Sequence, residues 1–133
     1  PGVRVYLNDQ VELARKQGFV QTMFGRKRHV PNIAARVPAV RQFAERTAMN
    51  HPMQGSAADI IKLAMVRVQR KLLEGAFKAK MIVQVHDELD FDCPRSEVEA
   101  LQEMVVEQMQ GIAELRVPLL VSCSIGQNWA EAK

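Results

Sequence analysis

The residues best suited to chemistry lie in one stretch, Met81-Ile82-Val83-Gln84-Val85-His86-Asp87-Glu88-Leu89-Asp90-Phe91-Asp92. It starts as an apolar β-branched run, turns polar at His86-Asp87-Glu88, and resumes with Leu89 and Phe91 alternating against Asp90 and Asp92. That pattern predicts a strand, a tight turn and a second strand. Ile82 and Val83 point to opposite sides of the first strand, which calls for two covered faces, whereas the second can leave its aspartates in water. The tip holds a histidine and two adjacent carboxylates on a rigid support. Carboxylate oxygens are hard ligands of the kind Mg²⁺ takes, and a hairpin tip offers them to something outside the sheet. An ordinary polar turn has the same composition, because Asp hydrogen-bonds its own backbone in turns.

A second constellation lies upstream. Gln42, Arg46, Asn50 and Gln54 recur every four residues and would line one face of a continuous helix. In the DNA minor groove every base pair presents an acceptor at purine N3 and pyrimidine O2, so donors such as Arg46, Asn50 and Gln54 can probe pair geometry without reading sequence. A solvated helix face is the plainer alternative. Pro52 falls inside this run and is expected to kink or break the helix, since it removes a backbone donor. Ser56-Ala57-Ala58-Asp59 then reads as a capping box that restarts it.

The elements that must position these residues follow from periodicity. Val3, Leu7, Val11 and Ala14 predict a first helix ended by Gly18, with Arg15 and Lys16 complementing its dipole. Phe19–Phe24 reads as a strand that turns at Gly25 and returns through Arg26-Lys27-Arg28-His29-Val30, a basic hairpin able to meet phosphates. The segment from Pro31 to Pro38 is the least regular and the best candidate for a flexible boundary. Helix resumes at Pro38. Beyond Pro52, Ile60, Ile61, Ala64, Met65, Val68 and Leu72 supply a buried face up to Gly75. Ser96-Glu97-Val98-Glu99 reads as another capping box, opening a helix with Val98, Leu101, Val105, Met109 and Ile112 buried. After Pro118, Leu119–Ile125 reads as a final strand. The expected class is α+β, a small antiparallel sheet covered on one face by helices.

With 133 residues the chain can bury one respectable core. No apolar run has the length of a membrane span, and no signal peptide opens the chain. Cys93 and Cys123 lie far apart without CxxC spacing, which argues against a zinc site and fits reduced thiols in a cytoplasm. The opening Pro-Gly, without methionine, fits a piece of a longer protein. The net charge of +3 conceals an asymmetry: residues 1 to 50 carry nine basic against three acidic side chains, and residues 76 to 133 carry five basic against ten acidic. Such a division suits a protein that grips a polyanion with one region and a cation with the other.

Four segments resemble family A DNA polymerases, the DNA polymerase I family. Glu45-Arg46-Thr47-Ala48-Met49-Asn50-His51-Pro52-Met53-Gln54-Gly55-Ser56-Ala57-Ala58-Asp59-Ile60-Ile61-Lys62 is similar to their palm helix, and Gln84-Val85-His86-Asp87-Glu88-Leu89 to their motif C. Gly18–Arg26 resembles the fingers hairpin that precedes that helix. Val117-Pro118-Leu119-Leu120-Val121 with Gly126-Gln127-Asn128-Trp129 resembles the C-terminal end.

The resemblance implies a distal fingers segment at 1–37 and the C-terminal part of a palm at 38–133. It implies that Asp87 is a ligand of the catalytic Mg²⁺ ions, with Glu88 beside it in a supporting role. His86 would approach the primer near its 3′ end, and Arg46, Asn50 and Gln54 would contact the primer-template duplex, with Gln84 joining the same surface. The implied reaction is transfer of a nucleotide from a dNTP to a primer 3′-hydroxyl by two metal ions. The family's motif A aspartate and its nucleotide-holding fingers helix lie upstream of this chain, so the isolated piece is expected to be inactive and to self-associate through exposed palm surface. The expected compartment is bacterial or phage cytoplasm, or an organelle. Two other readings stand beside this one: a non-catalytic duplex-binding module, and a metal-dependent nuclease using Asp87, Glu88 and Asp90.

Overall fold

A computed structural model describes residues 2–132. In order, the elements are α1 (Gly2–Gln17), β1 (Phe19–Gln21), β2 (Lys27–His29), α2 (Pro38–Glu74), β3 (Lys80–Val85), β4 (Glu88–Asp92), a short 3-10 turn (Arg95–Glu97) and α3 (Val98–Gln110). The class is α+β, built on two antiparallel two-stranded sheets, β1-β2 and β3-β4. Two compact units divide the chain, residues 1–59 and 60–133, with α2 contributing to both.

In the first unit, α1 buries Val11 and Ala14 but leaves Val3 in water, so only the C-terminal half of its apolar stripe is used. Gly18, at φ +80, closes the helix by donating its N–H to the Ala14 carbonyl at 2.8 Å. That left-handed conformation favours glycine. The paired strands are shorter than the β-rich run suggests and the loop is wider: pairing stops at Gln21↔Lys27. Thr22 to Arg26 form the turn, with Gly25 at φ +81 donating to the Thr22 carbonyl at 2.9 Å. Val20, Val30 and Ile33 pack with Val11, Ala14, Ala44 and Ala48 in one apolar cluster.

Helix α2 corrects the expectation of a break at Pro52 and a restart at Ser56. It runs unbroken through Pro52, and Ser56 does not restart it. Pro52 has no N–H for the Ala48 carbonyl, a loss that ordinarily costs about 3 kcal/mol or more in a helix interior. The Ser56 hydroxyl is used differently. It donates to the Pro52 carbonyl and accepts the Met23 N–H at 2.9 Å from the hairpin turn. On the adjoining turn, Arg26 Nε donates to Asp59 Oδ1 at 2.7 Å and Arg26 Nη2 to the Gly55 carbonyl at 3.1 Å. A Cβ at Gly55 would stand 2.7 Å from Thr22 Cγ2 and 2.9 Å from His51 Cε1, so the hairpin approaches the helix as closely as only glycine permits.

In the second unit, Val68 and Leu72 of α2, Ala79, and Leu101 and Val105 of α3 form a core against which Met81 and Phe91 of the β3-β4 sheet pack. Ser96 does not cap α3 either. Its residue Glu97 instead accepts the backbone N–H groups of Lys78 and Ala79 at 2.9 and 3.1 Å, fastening the start of β3 to the start of α3. The final strand expected at Leu119–Ile125 is absent. That segment finds no hydrogen-bonded edge, and Leu120 and Ile125 stand in solvent.

Strand β3 likewise needs only one covered face. Its register jumps from Met81↔Phe91 to Val83↔Asp90, which makes Ile82 a bulge, and both Ile82 and Val83 are exposed (59% and 45%).

Two stability predictions follow from these cores. Leu72→Ala should destabilise the second unit by about 2–5 kcal/mol in urea unfolding. The second concerns His51, buried with Nε2 unpartnered. Burial, then the nearby Arg26 and Arg28, hold its pKa below the usual 6.5, against a smaller opposing pull from Asp59. The unfolded chain therefore binds the His51 proton more readily than the folded one. Stability of the first unit is full above pH 6.5 and falls as the pH drops below it. The protection factors of the Val20 and Thr22 amides, corrected for intrinsic exchange at each pH, should fall over that range, and His51→Leu should flatten the profile.

Candidate active site

The β3-β4 hairpin closes with the pair Val85↔Glu88, leaving His86 and Asp87 as a two-residue loop. His86 takes φ +53, in the left-handed region where a side chain crowds the backbone. The loop is tied by Gln84, whose side-chain Nε2 donates to the His86 carbonyl. Gln84 thus supports the tip from within the hairpin. His86, Asp87 and Glu88 are all exposed.

The Ile82 bulge decides which residues share a face. Below it, Met81 and Phe91 pair toward the core; above it, Gln84 pairs with Leu89 on that same side. Val83, Val85, Glu88 and Asp90 occupy the other side. Asp87 stands at the end, Glu88 one residue away on the uncovered face, and Asp90 two residues further along that face. Asp87 and Glu88 therefore offer adjacent carboxylates to solvent, a donor set of hard oxygens that fits Mg²⁺. Among the described residues no group of three or more His, Cys, Asp or Glu side chains comes together as a metal cage. The carboxylates at the tip fit part of an octahedral site.

In the first unit, Gln42, Arg46, Asn50 and Gln54 are all exposed on α2. Four residues turn the helix about 40° beyond a full circle, so these side chains form a slowly winding row of donors. Arg46 and Asn50 precede Pro52 and Gln54 follows it. Because α2 is unbroken, all four belong to one helix. His51 and Gly55 lie on the buried side.

Sequence reasoning missed the joint behind this row: Arg26, His51, Gly55, Ser56 and Asp59. Gly55, a poor helix former set three residues after a proline, was the available signal.

The whole of 1–131 matches the family model described as DNA polymerase family A. The chain belongs to that family. This family A chain is 47% identical over 132 residues to DNA polymerase I of Bacillus subtilis, covering 99% of itself and 15% of that protein. It is 46% identical over 133 residues to the thermostable DNA polymerase I of Thermus aquaticus, covering all of itself and 16% of the relative. It thus spans about one sixth of the length of these relatives. Among solved structures it is similar to the POL domain of Pol1 from M. smegmatis in complex with DNA primer-template and dNTP, with a TM-score of 0.96 and 44% identity, over 98% of this chain and 23% of that one. Among the described residues, no helix is long and apolar enough to cross a membrane.

The strained loop yields a test. His86→Val places a β-branched residue at positive φ and should lower stability by about 1–2 kcal/mol in denaturant unfolding, whereas His86→Asn should be nearly neutral because Asn tolerates that region.

Proposed function

We propose that this chain is the C-terminal palm, with a distal piece of the fingers, of a DNA-directed DNA polymerase that transfers a nucleotide from a dNTP to a primer 3′-hydroxyl. The observation that carries the reading is the close likeness, over nearly the whole chain, to a polymerase domain whose structure contains primer-template and dNTP. Residues 1–37 are assigned to the fingers and 38–133 to the palm.

Asp87 is the metal ligand at the tip, with Glu88 beside it. Two Mg²⁺ ions, completed by carboxylates outside this chain, supply the Lewis acidity that an in-line phosphoryl displacement requires. His86, carried on the same loop, meets the primer strand near its 3′ end. Arg46, Asn50 and Gln54 donate to the minor-groove acceptors of the primer-template duplex, and their indifference to base identity suits an enzyme that must copy any sequence. The bacterial relatives support a cytoplasmic setting.

The isolated chain holds only part of the metal site and is inactive. Its uncovered apolar surface, including Ile82, Val83, Leu120 and Ile125, favours self-association.

One observation favours a narrower reading. The donor row and the basic hairpin belong to the first compact unit, without the carboxylates, so this unit alone has the chemistry of a duplex-binding module. The nuclease reading has no comparable support, since no third metal-ligating side chain joins Asp87 and Glu88 among the described residues.

Primer extension separates these readings. In the full-length polymerase, Asp87→Ala should lower kcat by at least about 10²-fold, the loss typical of disturbing even an outer-shell metal contact. Arg46→Ala should weaken duplex binding by about tenfold, or 1.4 kcal/mol. Extension by the isolated chain above its own Asp87→Ala control would refute its inactivity. Duplex binding lost with Arg46→Ala, together with full-length activity indifferent to Asp87→Ala, would favour the binding module.

A further inference from the structure

The donor row straddles a proline. Arg46 and Asn50 stand before Pro52 and Gln54 after it, on a helix that has lost the Ala48 carbonyl's partner and carries the proline ring in its interior. A helix with this defect ordinarily bends there. A bend at Pro52 would swing Gln54 out of line with Arg46 and Asn50, and three donors that must meet successive base pairs would no longer do so together.

The segment from β1 to Ile33 grips α2 on both sides of the defect. On the N-terminal side, Val20, Val30 and Ile33 pack against Ala44 and Ala48. On the C-terminal side, the turn between β1 and β2 holds the helix by three directed bonds: Arg26 to Asp59 at 2.7 Å, Arg26 to the Gly55 carbonyl at 3.1 Å, and the Met23 N–H to Ser56 at 2.9 Å. Ser56 relays the last of these to the Pro52 carbonyl. Gly55 lets Thr22, itself buried, seat against the helix between these bonds. All of these residues lie within the first compact unit.

We propose that the basic hairpin is a splint: Arg26 and Ser56 are positioning residues that hold α2 continuous through Pro52 and so fix the place of Gln54 relative to Arg46 and Asn50 on the duplex minor groove. The inference rests on the proposed role of those three donors. It assigns Arg26 to the protein's own helix rather than to DNA phosphate, although Arg26 sits in the most basic segment of the chain. Lys27 and Arg28 remain exposed on β2.

The test is fluorescence anisotropy of the full-length polymerase with two duplexes, one of normal purines and one carrying 3-deazapurines that lack the N3 acceptor. The ratio of the two dissociation constants reads the minor-groove bonds. For the unaltered polymerase a ratio of about tenfold is expected, the size of one or two hydrogen bonds. Arg26→Ala should bring the ratio toward one while leaving the salt dependence of binding unchanged. Adding Pro52→Ala to Arg26→Ala should restore the ratio, because the helix then recovers its own backbone bond and no longer needs the splint.

If Arg26 instead contacts phosphate, Arg26→Ala will lower the salt slope by about 0.9 and leave the ratio intact, which overturns the proposal. A ratio of one in the unaltered polymerase would sink the reading of the donor row itself. Amide exchange judges the splint without DNA. Arg26→Ala should speed exchange at Gln54 to Asp59, and unchanged protection there overturns the splint whatever the duplexes show.

Discussion

A proline in the middle of a 37-residue helix is the constraint around which the first unit is arranged. Left alone, Pro52 would divide α2 into two rods meeting at an angle set by local sterics. The helix instead continues, and the surrounding chemistry accounts for it. Ser56 bonds the Pro52 carbonyl from one turn ahead, Arg26 reaches Gly55 and Asp59, and the absence of a Cβ at Gly55 admits the hairpin turn. The partners outside α2, Met23 and Arg26, belong to the hairpin turn that precedes it. Local sequence therefore supplies the defect, and its support comes from residues about thirty positions away.

The β3-β4 hairpin shows a similar economy. Its carboxylates are exposed, and their placement comes from backbone: a loop of two residues, a positive φ at His86, and a Gln84 side chain bonded to the His86 carbonyl. Such a loop has few alternative conformations, so the position of Asp87 is set by the backbone alone. Strain at a loop beside candidate catalytic groups accords with the general tendency of functional sites to hold sparsely populated backbone conformations. On the opposite side of the sheet, Met81 and Phe91 anchor the hairpin to the core formed by α2 and α3.

Much of this was legible in the sequence, and for identifiable reasons. Alternating residues in 81–92, the glycine at 18 and the proline at 38 announce their elements through local sterics, which neighbouring residues suffice to encode. The family resemblance rested on four segments spread along the chain, above all Glu45–Lys62 and Gln84–Leu89, in order and at suitable intervals. The failures lie where tertiary contacts override local signals. Ser56 and Ser96 open capping-box patterns, yet Ser56 is claimed by the Met23 N–H, and at the second box it is Glu97 that bonds a distant segment, Lys78-Ala79. Leu119–Ile125 has the composition of a strand but pairs with neither two-stranded sheet, and composition alone does not bring a segment to an edge. The capacity of α2 to pass through Pro52 was invisible because it depends on Arg26, a residue that reads as one more basic side chain.

The bulge at Ile82 has a consequence for how the tip is inherited. Along a strand, side chains obey a parity rule: odd positions face one way and even positions the other. The extra residue reverses that parity for everything between Val83 and the loop, so Gln84, not Val83, shares the side of Met81. The orientation of the tip is thus set by the β4 partners that Val83, Gln84 and Val85 keep, not by their count along β3. Removal of Ile82 alone would leave a regular ladder with the same partners and the same faces, whereas removal of a paired residue of β4 would turn part of that strand over.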